Sequence, residues 1–245
     1  MVQLFKSFEE NVQGRDFVCA DVHGYFDKLE LELEKVAFDT DRDRLFSLGD
    51  LIDRGQDSYS TLKWLKFPWF HAVIGNHESM FMEQMIAREK NKEVFNRWMA
   101  SAQGWRKGLS VDQLLELHYA ICELPVVMEV ALSDQRKIGL CHAQFPGNCD
   151  WNELKARLVE EDYEYLGEVF DDLVWSSSIM IHARMGEGAA NPVKNIDHVF
   201  HGHNIVEQFI TLANRTYMDL GSYFSGKVGF VQPDSFLKEI SARSE

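Results

Sequence analysis

Five short stretches of the sequence place acids, imidazoles or a carboxamide at the end of an apolar run. DFVCA (16–20) leads into Asp21-Val22-His23-Gly24, RLFSL (44–48) into Gly49-Asp50-Leu51-Ile52-Asp53-Arg54-Gly55, and HAVI (71–74) into Gly75-Asn76-His77-Glu78. KIGL (137–140) leads into Cys141-His142-Ala143, and HVFH (198–201) into Gly202-His203-Asn204. Asp21, His23, Asp50, Asn76, His142 and His203 offer carboxylate, imidazole and amide donors without a thiolate. That mix suits Mn²⁺, Fe or Zn²⁺ in a catalytic site and suits a structural cysteine zinc site poorly. The set is larger than one ion with an open position needs. It fits two divalent ions sharing one bridging carboxylate, an arrangement that activates water and clamps the oxygens of an in-line phosphoryl displacement.

Something must hold these loops together. The runs at 16–20, 44–48 and 71–74 read as buried strands, short and bounded by Gly, Asp or His. Between them Phe26, Leu29, Leu33 and Val36 recur at helical spacing, and 58–65 reads as a second helix. A β-α-β-α-β run implies parallel strands, whose carboxyl ends form the binding crevice of such sheets. Residues 79–124 read as a helical insertion, and 126–132 with 137–141 as a hairpin. The acid-rich stretch 150–172 reads as helical, and strands return at 198–201, 208–212, 216–220 and 228–232. The expectation is an α/β (α+β) fold, a two-layer β-sandwich flanked by helices, in a single domain over 1–245.

Composition narrows the function. The chain has 245 residues, 45% apolar and 26% charged, with a formal net charge of −14. The acidity disfavours binding to a nucleic-acid backbone or an anionic membrane surface. No apolar stretch approaches the roughly 20 residues that span a bilayer, and the start MVQLFKSFEENVQ has no apolar signal core, so a cytoplasmic protein is expected. Cys19, Cys122, Cys141 and Cys149 lie scattered without CxxC spacing and read as free thiols.

In this order, DVHG, GDLIDRG, GNHE, CHA and GHN resemble the signature of calcineurin-like metallophosphoesterases. GDLIDRG with GNHE is similar to the phosphoprotein phosphatases, and the span from Asp21 to His77, with FPWFHAVIGNHE, resembles the small bacteriophage and bacterial serine/threonine protein phosphatases. The resemblance runs from about Asp16 to Val231 and implies a calcineurin-like fold. It implies that Asp21 and His23 bind a first metal, that Asp50 bridges both, and that Asn76, His142 and His203 complete the second, with Mn²⁺ first and Fe or Zn²⁺ as alternatives. It implies His77 as general acid, Asp53 as the group orienting it, and Arg54 and Asn76 as phosphate binders. The implied activity is a manganese-type serine/threonine phosphatase that attacks with metal-bound hydroxide and forms no phosphoenzyme. Its partner would be a phosphorylated protein or peptide, or a small phosphate ester. The alternative is a symmetrical dinucleoside tetraphosphate hydrolase.

Two positions depart from the pattern. Relatives of the phage type carry arginine just before GNHE, where this chain has Ile74, and after a tryptophan, where this chain has Trp175-Ser176-Ser177. Arg184 is a candidate replacement at the phosphate. His201 and His203, two residues apart, could share a face; His203 is preferred because it follows Gly202 as the pattern requires. Glu78 reads as a helix-capping acid, Trp98 and Trp105 as packing residues, and His71, His118, His182 and His198 as structural or exposed.

Overall fold

The computed structural model describes residues 4–100, 104–147, 150–186 and 190–242. Two sheets carry the fold. A four-stranded sheet has the order β10 (Phe230–Val231), β2 (Asp16–Cys19), β3 (Arg44–Ser47), β4 (Phe70–Ala72). A six-stranded sheet has the order β1 (Phe5–Phe8), β5 (Val127–Ala131), β6 (Lys137–Leu140), β7 (His198–His201), β9 (Arg215–Tyr217), β8 (Ile210–Leu212). Strands β2, β3 and β4 run parallel, with Val18 opposite Phe46 and Ser47 opposite Ala72. The expected hairpin forms, with β5 and β6 antiparallel.

Alternation along the strands decides which side chain faces which layer. On β2, Val18 joins Phe46, Met128, Val130, Ile138, Leu140 and Phe200 in the core between the sheets. Its neighbours Phe17 and Cys19 face the other way, into the core shared with the helices. Helices α1 (Phe26–Lys35), α2 (Thr61–Trp64), α3 (Asn76–Lys90) and α5 (Val111–Cys122) contribute Leu29, Trp64, Phe81 and Leu117 to that core. Helices α6 (Trp151–Val159) and α7 (Tyr163–Val174) contribute Trp151, Leu154, Val169 and Leu173. The fold is mixed α/β, two sheets flanked by helices. Among the described residues no helix is long and apolar enough to cross a membrane.

Some elements differ from the sequence reading. Strand β1 pairs parallel with β5, although FKSF alternates only partly in burial and carries no strong strand signal. The expected strand over 216–220 is β9, which ends at Tyr217; Met218 still donates to the His201 carbonyl, and beyond it the Asp219 carboxylate turns onto the Gly221 N–H. Helices α8 (Ser178–Met185), α9 (Ser222–Ser225) and α10 (Pro233–Ala242) complete the chain. Helix α4 (Lys92–Ala100) and a 3₁₀ turn at Gly104–Arg106 lie between α3 and α5. Cys19 and Cys141 are buried free thiols and Cys122 is half-buried, while Cys149 lies outside the described residues.

One contact fixes the strand that leads to His142. Trp151 is fully buried, and its indole N–H donates to Glu129 Oε2 at 2.6 Å. Glu129 also accepts from Lys155 Nζ at 2.8 Å, one turn further along α6. Gly139 pairs with Glu129 across the ladder, and a Cβ there would lie 2.3 Å from Trp151 Cη2. Overpacking of a dense core typically costs about 1–3 kcal/mol. Gly139→Ala should therefore lower the urea midpoint of unfolding by a corresponding amount, and an unchanged midpoint would contradict this packing.

Candidate active site

The five loops meet at the carboxyl ends of β2, β3, β4, β6 and β7, so both sheets contribute. Asp50 stands at the centre. Its Oδ2 lies 3.5 Å from His23 Nε2 and 4.0 Å from His77 Nε2, and its Oδ1 lies 3.5 Å from His142 Nε2. Two trios able to hold an ion share it: His23, Asp50 and His77, and Asp21, Asp50 and His142. Asn76 Oδ1 adds 3.0 Å to His142 Nε2 and 2.9 Å to His203 Nδ1. Asp21 lies against the other loop, accepting from the His203 backbone N–H at 3.1 Å.

Each imidazole is aimed by its other ring nitrogen. His23 Nδ1 donates to the Ile52 carbonyl at 2.9 Å, and His142 Nδ1 to the Leu48 carbonyl at 2.7 Å. His203 Nε2 donates to the Trp175 carbonyl at 2.8 Å. The remaining nitrogens are lone pairs facing Asp50 or Asn76, as for ligating histidines with a carbonyl behind them. Burial lowers the pKa of His23 and His142 and brings His203 to about 4. These imidazoles are neutral at neutral pH.

The carboxylates are crowded. Asp21, Asp50, Glu78 and Asp219 are each at most 2% exposed. Burial, then the charges of Asp219 and Asp50, push the Asp21 carboxyl well up. Burial and the Asp50 charge bring Glu78 to about 7, against the opposing backbone N–H bonds, and burial brings Asp219 to about 6. Among the described residues, the groups within ion-pair distance of Asp50 are all imidazoles. Buried anions, neutral imidazole lone pairs and a carboxamide oxygen pointing at one another repel unless cations lie between them. The donor set therefore fits divalent metal.

The backbone is shaped around these side chains. A Cβ at Gly75 would lie 2.2 Å from Asp50 Oδ1, and one at Gly202 would lie 2.2 Å from Asp21 Oδ1. His23, Asp50, Asp53, Arg54 and His203 all have positive φ, between 49° and 69°. Non-glycine residues in that region carry strain of about 1–3 kcal/mol each and cluster at functional sites. Glu78 holds the Asp50 loop. It is fully buried, and its carboxylate accepts from the N–H groups of Asp50 (2.8 Å), Leu51 (2.8 Å), Ile52 (3.2 Å) and Gly75 (2.9 Å). The expectation of a helix cap covers the Gly75 bond, while the other three bonds reach a loop more than 25 residues away.

His77 opens α3. Its Nδ1 lies 2.7 Å from Asp53 Oδ2, which leaves Nε2 facing the Asp50 side. Burial disfavours the imidazolium, but the Asp53 bond and the charges of Asp50, Asp53 and Glu78 outweigh it and raise the pKa. Asp53 Oδ1 accepts from Trp105 Nε1 at 2.7 Å. Trp105 is thus more than a packing residue, and the aromatic pattern around it gave no sign of that partner. Arg54 lies over the Tyr223 ring at 5.0 Å, and Tyr223 packs edge-on against His23 at 5.5 Å. Tyr223 and Asp219 belong to no motif, so the sequence offered no signal for either.

Arg184 donates to the Ile205 carbonyl at 2.6 Å, two residues beyond His203. His201 turns inward: its Nδ1 lies 3.3 Å from Cys141 Sγ and its ring stacks on Tyr217. His203 is the member of that pair that reaches Asn76.

Residues 17–212 match the calcineurin-like phosphoesterase family. The chain belongs to this family. It is 30% identical over 222 residues to serine/threonine-protein phosphatase 2 of Escherichia coli, covering 87% of this chain and 90% of that protein. A symmetrical bis(5'-nucleosyl)-tetraphosphatase of Cellvibrio japonicus is 41% identical over 79 residues, 31% of this chain and 29% of that one. A solved protein serine/threonine phosphatase from Saccharomyces cerevisiae shares the fold, with a TM-score of 0.53 at 16% identity over 89% of this chain and 71% of its own. The protein is a metallophosphoesterase, a hydrolase of a metal-dependent family.

Glu78→Gln keeps the size of the side chain but turns an N–H₂ toward backbone N–H donors. Leaving buried donors unpaired costs about 1–3 kcal/mol. The variant should unfold at a correspondingly lower urea concentration, and a wild-type midpoint would show that the loop does not depend on this carboxylate.

Proposed function

We propose that the protein is a phosphomonoesterase acting on phosphoserine or phosphothreonine in proteins or peptides, with two divalent ions, Mn²⁺ first, at the Asp50 cluster. The observation that carries this reading is the Asp50 carboxylate, which presents one oxygen to His23 and the other to His142 while the His77–Asp53 pair stands beside it. Asp21, His23 and Asp50 would hold one ion, and Asp50, Asn76, His142 and His203 the other. Two such ions, when bound, supply a nucleophile from water near neutral pH and electrostatic stabilisation of the transferring phosphoryl group.

The chain's own residues do the rest. Arg54 binds phosphate oxygens through its planar fork, with its guanidinium steadied on the Tyr223 ring. Asn76 would contact the same phosphate through its amide. His77 holds a proton on Nε2 for the leaving oxygen while Asp53 accepts from Nδ1 and fixes the ring. An alkoxide leaves poorly, so this proton matters most for serine and threonine esters.

Coverage favours a protein phosphatase, since the phosphatase relative matches 87% of the chain and symmetrical bis(5'-nucleosyl)-tetraphosphatases between 31% and 62%. The net charge of −14 also disfavours a bare polyanion such as a dinucleoside tetraphosphate. A second reading, hydrolysis of symmetrical dinucleoside tetraphosphates, draws on the 41% local identity and on Ile74, a buried side chain where phage-type relatives carry arginine. Phosphate release from phosphoserine peptides and cleavage of diadenosine tetraphosphate, measured at equal Mn²⁺, separates the two. Phosphopeptides should be the better substrates; cleavage of the nucleotide with no phosphate from any phosphopeptide would overturn the proposal.

His77→Asn should lower turnover on phosphoserine peptides by about 10²–10⁴-fold, the usual contribution of a positioned acid. It should affect an aryl ester with a good leaving group much less and leave bound metal nearly unchanged. Equal losses on both esters would exclude His77 as the leaving-group acid.

A further inference from the structure

We propose that Trp105 is a positioning residue for the reaction: its indole N–H holds the Asp53 carboxylate in the orientation that aims the His77 imidazole. The inference rests on the reading of His77 as the leaving-group acid. Two hydrogen bonds to one carboxylate carry it. Trp105 Nε1 lies 2.7 Å from Asp53 Oδ1, and Asp53 Oδ2 lies 2.7 Å from His77 Nδ1. Each carboxylate oxygen therefore has one directional partner, and rotation of the carboxylate breaks both bonds at once.

The surroundings give this bond its use. The Asp53 side chain is 33% exposed, so packing alone restrains its carboxylate little. Trp105 is 8% exposed and sits on the short turn Gly104–Arg106. Its ring lies 6.0 Å from Phe81, which is one turn beyond His77 on α3. The next residue, Arg106, stacks on Trp98 at 4.1 Å. The turn is thus anchored to the same helix that carries His77, and it meets Asp53 through the Trp105 indole N–H. A buried tryptophan needs a partner for that N–H; here the partner is the carboxylate behind the proposed acid.

The test is Trp105→Phe in the full Mn²⁺-loaded protein, which keeps an aromatic ring against Phe81 and removes the N–H. Phenyl phosphate and 2,4-dinitrophenyl phosphate are compared, because the second leaving group needs little protonation. The kcat for phenyl phosphate should fall about 10- to 100-fold, the usual effect of removing an outer partner, with KM little changed. The kcat for the dinitrophenyl ester should hold, and Trp105→Phe should add nothing in a His77→Asn background. Equal losses on the two esters, or independent losses in that background, would overturn the inference and leave the phosphatase reading standing. A wild-type protein that hydrolyses neither ester would overturn both. Should the Phe variant not fold, 3-benzothienylalanine at position 105, which replaces the N–H with sulfur at nearly constant shape, decides between the same outcomes.

Discussion

The structure depends on burying negative charge. Asp21, Asp50, Glu78 and Asp219 lie together almost without solvent, with the ring nitrogens of His23 and His142 3.5 Å from Asp50. Several buried carboxylates cannot all remain ionised without compensation. The protein meets part of the demand with backbone N–H groups, four of them on Glu78. Asp21 and Asp50 each accept a backbone N–H as well, from His203 and His77, but the His23 and His142 imidazoles beside Asp50 are neutral and add no positive charge. The remaining compensation has to come from bound cations, which is why the site reads as a metal centre.

That demand explains the backbone around it. The glycines at 75 and 202 exist where a Cβ would collide with a carboxylate oxygen. Five polar residues adopt positive φ because each loop must turn sharply at the end of its strand. Strain of this kind persists only in a rigid surround. Here the surround is two packed sheets whose strand ends define the site, with Glu78 fixing the β3 loop to the start of α3. The whole-protein charge of −14 repels an anionic substrate, so attraction must be local. In the proposed reading it comes from the metal ions and Arg54, within a Debye length of about 8 Å.

Much of this was legible in the sequence, for a physical reason. A strand that ends in a polar loop announces both its burial and its crevice, so the runs before Asp21, Asp50, Asn76, His142 and His203 could be read as converging. Parallel order followed from the helices between them. The partners that tertiary packing alone creates could not be read. Trp105 looks like any core tryptophan until its N–H is seen on Asp53. Tyr223 meets His23 across 200 residues of chain. Strand β1 has little alternation of its own and exists because β5 offers it an edge. Arg184 could be nominated from its position in the chain, and the bond of its guanidinium to the Ile205 carbonyl could not be read there.

The central claim is that Asp50 lies between two divalent ions. Anomalous diffraction from crystals of the protein grown with Mn²⁺ tests it most directly. The account predicts two peaks, one on each side of the Asp50 carboxylate, one against His23 and the other against His142. A single peak, or density that leaves Asp50 uncoordinated, would contradict it.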